Sequence, residues 1–345
     1  MTLSLGSPLT LGLMGFGRIG RDLFRALYRR SDFTVRAISD IADAEALEYL
    51  LRFDSRLGRF PDEVSLRSGN LYVRGQQIPF VGEPGTPNWG DLGVDVVIEA
   101  TSRQLSRAQI EEHLERGARK VILCVPPDEP PDITAVIGVN DHLLLPEHDI
   151  ISNGSCTAHC AAPILKILDA AFGVERAFLN SVHAYTNKQR LADVPAEDPR
   201  SGRAAAENII PQDTNSADVI VDILPQLEGR LIGSAMNVPI HNGSVVDLTC
   251  WHRQDVTEEA INEVVRTAAA ADYQTLIDYE DDPIVSSDIE GSPYSSTFDS
   301  LATMTLGDRM SKTLSWFDNG WGYVQRVADL LARVQSVNAG EEVAS

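Results

Sequence analysis

Lysine is nearly missing from this chain. Only Lys120, Lys166, Lys188 and Lys312 occur, and the other basic residues are arginines spread without a patch. Lysine plus arginine is 29 against 50 aspartates and glutamates, a formal net charge of -21. Such a surface repels nucleic acid and anionic membranes, so neither is an expected partner. Cysteine is scarce as well. Cys156 and Cys160 lie four apart, but Cys124 and Cys250 form no matching second pair, so no metal site is expected. No stretch approaches the roughly 20 apolar residues of a membrane helix. The opening MTLSLGSPLT has no basic segment and leads straight into a strand, so no leader peptide is expected either. A chain this large has no need of disulfides, and a reducing, cytoplasmic setting follows.

What is present fills two cores. The 345 residues, 43% of them apolar, exceed what one core usually serves. The first part alternates strands (LTLGLMG, FTVRAIS, LGVDVVIEAT, RKVILCV) with helices (Arg18 to Arg30, AEALEYLLRF, AQIEEHLERGA ending at Gly117). That alternation predicts a parallel, doubly wound sheet. VSLRSGNLYVRGQQIPF reads as a hairpin or pair of short strands inserted in it. Beyond about residue 150, Cys156 to Leu168 reads as one helix. AFLNSVHAY, LIGSAMNVPI, SVVDLTCWHR and SKTLSWFDN read as strands of a sheet with helices on one face. Ala205 to Leu224 can be helical only after Pro211. VTEEAINEVVRTAAA is a helix capped by Thr257, and YVQRVADLLARVQSV closes the chain as an amphipathic helix.

The glycines of GFGRIG (Gly15, Phe16, Gly17, Arg18, Ile19, Gly20) sit between the first strand and the first helix. Gly15 allows the tight turn, Gly17 allows a pyrophosphate to approach, and Gly20 lets helix pack on strand. Asp40 ends the second strand about 20 residues on, where an acid binds the adenosine ribose and opposes a 2′-phosphate. NAD is therefore the expected cofactor. Cys156, in SNGSCTAHC, begins a helix, where N–H groups and the helix field favour a thiolate and can hold an oxyanion. His183 is a candidate base. From spacing alone His113, His142, His148, His159, His241 and His252 are equally open.

From Leu11 to about Leu331 the chain resembles phosphorylating glyceraldehyde-3-phosphate dehydrogenase and its relative erythrose-4-phosphate dehydrogenase. GFGRIGR, RFDSRLGRF, SNGSCT, SVHAYTNKQR, RAAAENIIP, SVVDLTC and WFDNGWGY carry the likeness. It implies an α/β Rossmann dinucleotide-binding domain plus an α+β catalytic domain with a mixed sheet. The expected parts are 1–155 for NAD, 156–318 for catalysis, and 319–345 as a C-terminal helix returning to the NAD-binding domain. It also implies a homotetramer, Cys156 as nucleophile, His183 as base, hydride transfer to NAD, and release of the acyl group by inorganic phosphate. Asn319 would hold the nicotinamide carboxamide, with Thr101 and Tyr323 also at the cofactor. Ser155, Thr157, Thr186, Thr214, Asn215 and Asn237 match positions around the substrate and phosphate pockets.

The departures cluster. Met14 replaces an asparagine of the family pattern. Ser201, beside Arg200, and Asn237 replace two arginines that face anionic oxygens. The phosphate loop reads Asp213, Thr214, Asn215. Lys188, Arg190, Arg200 and Arg203 are the candidates for compensation. The leading expectation is an NAD-dependent aldehyde dehydrogenase acting on glyceraldehyde 3-phosphate or a related aldehyde. The alternatives are a dehydrogenase for an unphosphorylated aldehyde and a non-catalytic NAD-sensing protein on the same scaffold.

Overall fold

The computed structural model describes residues 8–103 and 105–339. Two compact units divide them. The first holds the residues up to Ile137, Asp141–Gly154, and those from Val324 on; the second holds Gly138–Asn140 and Ser155–Tyr323.

In the first unit the strands are β1 (Leu9–Met14), β2 (Phe33–Ser39), β3 (Phe53–Asp54), β4 (Gly58–Arg59), β5 (Val64–Arg67), β6 (Asn70–Val73), β7 (Gln76–Val81), β8 (Val96–Glu99), β9 (Lys120–Leu123), β10 (Ile133–Thr134) and β11 (Ile150–Ser152). Its helices are α1 (Arg18–Leu27), α2 (Ala44–Arg52) and α3 (Arg107–Glu115). Nine strands form one sheet in the order β10-β11-β9-β8-β1-β2-β7-β6-β5. From β10 to β7 every pairing is parallel. β8 is buried along its whole length, as a strand covered on both faces must be. The expected hairpin at 60–90 has three strands: β5 and β6 pair antiparallel, and β7 carries the turn back beside β2. Gly117 ends α3 with φ at 95°, and a Cβ there would lie 2.7 Å from the Gly90 backbone.

The second unit contains α4 (Cys156–Phe172), β12 (Val174–Ala184), β13 (Ile210–Gln212), α5 (Ser216–Ile223), β14 (Leu231–Val238), β15 (Ser244–His252), α6 (Glu258–Ala270), β16 (Ile277–Glu280), β17 (Ser296–Leu306) and β18 (Met310–Phe317). α7 (Trp321–Ala339) begins in this unit and continues into residues of the first. The sheet is mixed, in the order β13-β14-β12-β15-β18-β17-β16. β12 runs parallel to β14 and antiparallel to β15. Pro211 lies in the edge strand β13, where its missing N–H costs least. Thr257 caps α6 by accepting the Ala260 N–H at 3.1 Å. Alternation sorts the faces: Ala177, Leu179, Val246, Leu248 and Cys250 are buried, while Phe178, Ile232 and Trp251 are exposed. The fold class is therefore a Rossmann unit joined to a mixed α+β unit.

Candidate active site

The first unit's site is built at the C-terminal end of β1. Its neighbours β2 and β8 lie on opposite sides, so the crevice beyond β1 is the switch point where such sheets take their ligands. Gly15 has φ at 92°, and a Cβ there would sit 2.7 Å from the Thr101 nitrogen. A Cβ on Gly20 would overlap the Gly15 carbonyl oxygen. Gly17 differs: its φ of −67° suits any residue, and an added Cβ would meet no protein atom within 4 Å. Among the described residues, no contact requires glycine at this position, whereas a group resting on the loop would. Gly17 is also the N-cap of α1, with no side-chain cap and no acid in the first turn. That end of the helix therefore suits an anion. Asp40 Oδ2 accepts the Phe16 N–H at 2.7 Å and its Oδ1 accepts the Ala42 N–H at 2.9 Å, which locks the carboxylate beside the loop. The Phe16 ring is buried edge-on against Phe24 and Phe80, so only its backbone serves the loop. Arg18 and Ile19 are partly exposed on the first turn of α1.

The second unit holds the cysteine. Ser155 caps α4 by accepting the Ala158 N–H at 3.1 Å, which fixes Cys156 as the first helical residue. The positive end of α4 thus lies at its sulfur. His183, near the end of β12, brings Nε2 to 3.5 Å from Cys156 Sγ. Its Nδ1 lies 2.6 Å from the Ala184 carbonyl oxygen. A carbonyl only accepts, so Nδ1 carries a proton, and in the neutral ring Nε2 then turns a lone pair toward the thiol. Phe317 packs edge-on against the imidazole. Of the seven histidines, this one meets Cys156. Four others have partners elsewhere: His113 with Trp89, His148 with the Leu145 N–H, His241 with Glu290, and His252 with Ser311 at 2.7 Å. Cys160, one turn along α4, is buried, and burial drives its thiol far above the usual range. Burial likewise pushes Cys250 up to about 12.

Asn319 joins the pair through one hydroxyl. Ser244 Oγ accepts the Ala184 N–H at 3.0 Å and donates to Asn319 Oδ1 at 3.3 Å. Asp318 sets the turn before α7, accepting from Gly320 N, Trp321 N, Gly291 N and Asn242 Nδ2. Sequence reading passed over Asp318, though an acid just ahead of a helix is a recognisable cap signal. Thr157 is buried, with its hydroxyl 3.3 Å from that of Ser181. Tyr323 is buried with its ring edge-on to His159.

The segment carrying the sequence departures is a chain of neutral groups that ends on a carboxylate. Thr186 gives both its N–H and its hydroxyl to Gln189 Oε1. Gln189 donates to Gln212 Oε1 at 3.2 Å, Gln212 donates to Ser201 Oγ at 3.1 Å, and Ser201 donates to Asp198 at 2.6 Å. The Ser201 hydroxyl and backbone N–H groups hold the Asp198 carboxyl below its usual range. Asn237 is buried on β14 as the register partner of His183. Thr214 donates its hydroxyl to Ser216 at 2.9 Å, and Asp213 and Asn215 are exposed. Lys188, Arg190, Arg200 and Arg203 are all exposed, and Arg203 pairs with Asp193 at 3.1 Å.

Residues 9–107 match the glyceraldehyde 3-phosphate dehydrogenase NAD binding domain, and residues 155–319 match its C-terminal domain. Glyceraldehyde-3-phosphate dehydrogenase of Geobacillus stearothermophilus is 45% identical over 329 residues, covering 94% of this chain and 98% of that protein. This chain belongs to the glyceraldehyde-3-phosphate dehydrogenase family. Glyceraldehyde-3-phosphate dehydrogenase 1 of Bacillus subtilis (strain 168) is 44% identical over 327 residues, 94% of this chain and 97% of that protein. The Streptomyces coelicolor enzyme is 44% identical over 327 residues, 93% and 97%. The chain is thus an oxidoreductase of the glyceraldehyde-3-phosphate dehydrogenase type, with an NAD-binding domain and an aldehyde as its class of substrate. Among the described residues, no helix is long and apolar enough to cross a membrane.

Proposed function

We propose that this protein oxidises an aldehyde through a thiohemiacetal on Cys156, with His183 as base. The observation that carries this reading is the 3.5 Å approach of His183 Nε2 to Cys156 Sγ, with Ala184 O holding the proton on Nδ1. His183 Nε2 takes the thiol proton as sulfur bonds to the carbonyl carbon. The same imidazole returns that proton to the developing alkoxide. It removes the proton again as the carbon gives up hydride, leaving a thioester on Cys156. NAD, when bound at the glycine loop and Asp40, supplies the hydride acceptor. Asn319, whose Oδ1 is engaged by Ser244, would have its amide N–H groups left to hold a carboxamide of the cofactor. Phosphate then takes the acyl group and Cys156 recovers its proton through His183. The test is Cys156→Ser, which should abolish aldehyde-dependent NAD reduction and leave NAD binding nearly unchanged. Wild-type turnover in that variant would refute the mechanism.

A specific observation favours a second reading of the substrate. The chain Thr186–Gln189–Gln212–Ser201–Asp198 and the buried Asn237 offer neutral or negative groups at positions where the family resemblance implies arginines toward phosphate. On this reading the preferred aldehyde is unphosphorylated, or phosphate is a weak acyl acceptor. Comparing kcat/KM for glyceraldehyde 3-phosphate and glyceraldehyde, each with and without phosphate, separates the two. Assembly with further copies of the chain is also proposed. Phe178 and Ile232 are register partners, both exposed, on a sheet face that leaves Trp251 exposed as well. Light scattering on the purified protein tests the tetramer.

A further inference from the structure

A buried polar chain runs through the core of the first unit toward the glycine loop, and the reaction above makes no use of it. Trp89 is fully buried, and Gly12 makes room for it, since a Cβ there would lie 2.8 Å from the indole ring. Its Nε1–H donates to His113 Nδ1 at 2.9 Å. An indole nitrogen can only donate, so Nδ1 carries the lone pair and the imidazole proton sits on Nε2. That proton faces Glu99 Oε2 at 3.5 Å. The other carboxylate oxygen, Oε1, accepts the Thr101 N–H at 2.8 Å and the Thr101 hydroxyl in a short contact. His113 and Glu99 are 2% and 5% exposed, so water does not compete for either.

Two features give the chain a purpose beyond packing. Thr101 follows β8 at the switch point, and its nitrogen is the atom that Gly15 could not approach if it carried a Cβ. Thr101 therefore borders the loop on which a dinucleotide would rest. The next residue, Ser102, is a non-glycine residue with φ at 62°, a conformation that needs support from its surroundings. Glu99 grips the chain one residue before that turn. Because the Thr101 hydroxyl gives its proton to Glu99, what it presents outward is a pair of acceptor lone pairs. Such a group suits an O–H or N–H donor and repels phosphate oxygens.

We propose that Trp89, His113 and Glu99 form a positioning chain that fixes the Thr101 hydroxyl as a hydrogen-bond acceptor. Its partner is a ribose hydroxyl or carboxamide N–H of a dinucleotide at the glycine loop. The proposal rests on the NAD reading given above. None of the three residues touches the cofactor; Thr101 does so on their behalf.

The experiment is a double-mutant cycle on the full-length enzyme, read by NADH binding through fluorescence titration rather than by turnover. His113→Leu should raise the NADH dissociation constant about three- to tenfold, the range of one lost neutral hydrogen bond. His113→Gln, whose amide can still donate to Glu99, should stay within about twofold of the parent. In a Thr101→Val background His113→Leu should add nothing, because the group it positions is gone. Trp89→Phe removes the donor while keeping an aromatic core. It should weaken NADH binding in the same non-additive way, and it carries the test if His113→Leu does not fold. Undiminished NADH binding in His113→Leu, or an equal loss in both backgrounds, overturns the positioning chain and leaves the cofactor reading intact. Failure of the parent protein to bind NADH at all overturns the cofactor reading itself.

Discussion

Replacing Asn237 by Arg should return a preference for phosphorylated substrates. Replacing Ser201 alone should do so weakly. Asn237 lies beside His183 in the sheet and is 8% exposed. A guanidinium there projects from the same face as the imidazole, into a poorly hydrated space. Each charge-assisted bond to phosphate contributes about 1.5–3 kcal/mol, or roughly 10- to 150-fold. Desolvation of the new cation takes back part of that gain, so the expected rise is about tenfold. The measured quantity is the ratio of kcat/KM for glyceraldehyde 3-phosphate to that for glyceraldehyde. At position 201 the situation differs. The Ser201 hydroxyl lies 2.6 Å from Asp198, and an arginine in its place would pair with that carboxylate first. Ser201→Arg alone should therefore move the ratio by less than about threefold, since an exposed pair spends the charge locally. Adding Asp198→Asn should free the guanidinium and raise the effect. If the parent enzyme already strongly prefers glyceraldehyde 3-phosphate and requires phosphate, the reasoning fails at its first step. It fails at the second if Ser201→Arg alone matches Asn237→Arg.

Other outcomes are expected. His183→Asn should lower turnover by about 10²–10⁴-fold and flatten the pH dependence of Cys156 alkylation; an unchanged alkylation profile removes it as the base. NAD should bind more tightly than NADP because Asp40 is locked beside the loop, and Asp40→Asn should narrow that gap; tighter NADP binding by the parent would sink the assignment. His252 is buried, and burial lowers its pKa from the usual 6.5. The unfolded chain therefore binds more protons once pH falls below about 6.5, and stability is lost from there downward. Denaturant melts at pH 7.5 and 5.5 should show a smaller acid loss in His252→Gln than in the parent, and equal losses would contradict this. Iodoacetamide at neutral pH should spare Cys160 and Cys250, whose thiols burial holds protonated, which peptide mass analysis can verify.

The sequence disclosed the elements whose signals are local. Apolar runs gave β1, β8 and β9, and the glycine pattern gave the loop between β1 and α1. The single hydroxyl of Thr257 gave the start of α6. It did not disclose β16 and β17, which lie in a polar stretch rich in serine and aspartate; β17 owes its order to pairing with β18. Pairing of His183 with Cys156 is likewise a tertiary fact. Twenty-seven residues separate them, and only the docking of α4 on the sheet closes that gap to 3.5 Å. Resemblance points to His183, whereas residue spacing alone leaves seven histidines open. The hydrogen-bonded chain from Thr186 to Asp198 was invisible for the same reason. Its substitutions were legible one by one, whereas their mutual satisfaction depends on β13 lying beside β14.

The Asp318 carboxylate has a mechanical consequence. Its oxygens gather donors from Asn242, Gly291, Gly320 and Trp321, three stretches far apart along the chain. None of these stretches can open without surrendering a bond to the same group, so they share one opening event. Asn319 is the adjacent residue, and Ser244 ties it to the strand end that bears His183. Thermal agitation in these loops should therefore reach the reaction centre as a single all-or-none step. Amide hydrogen exchange at Gly291, Gly320 and Trp321 should then report one common opening free energy, and one amide replacing one carboxylate at position 318 should lower it for all three together.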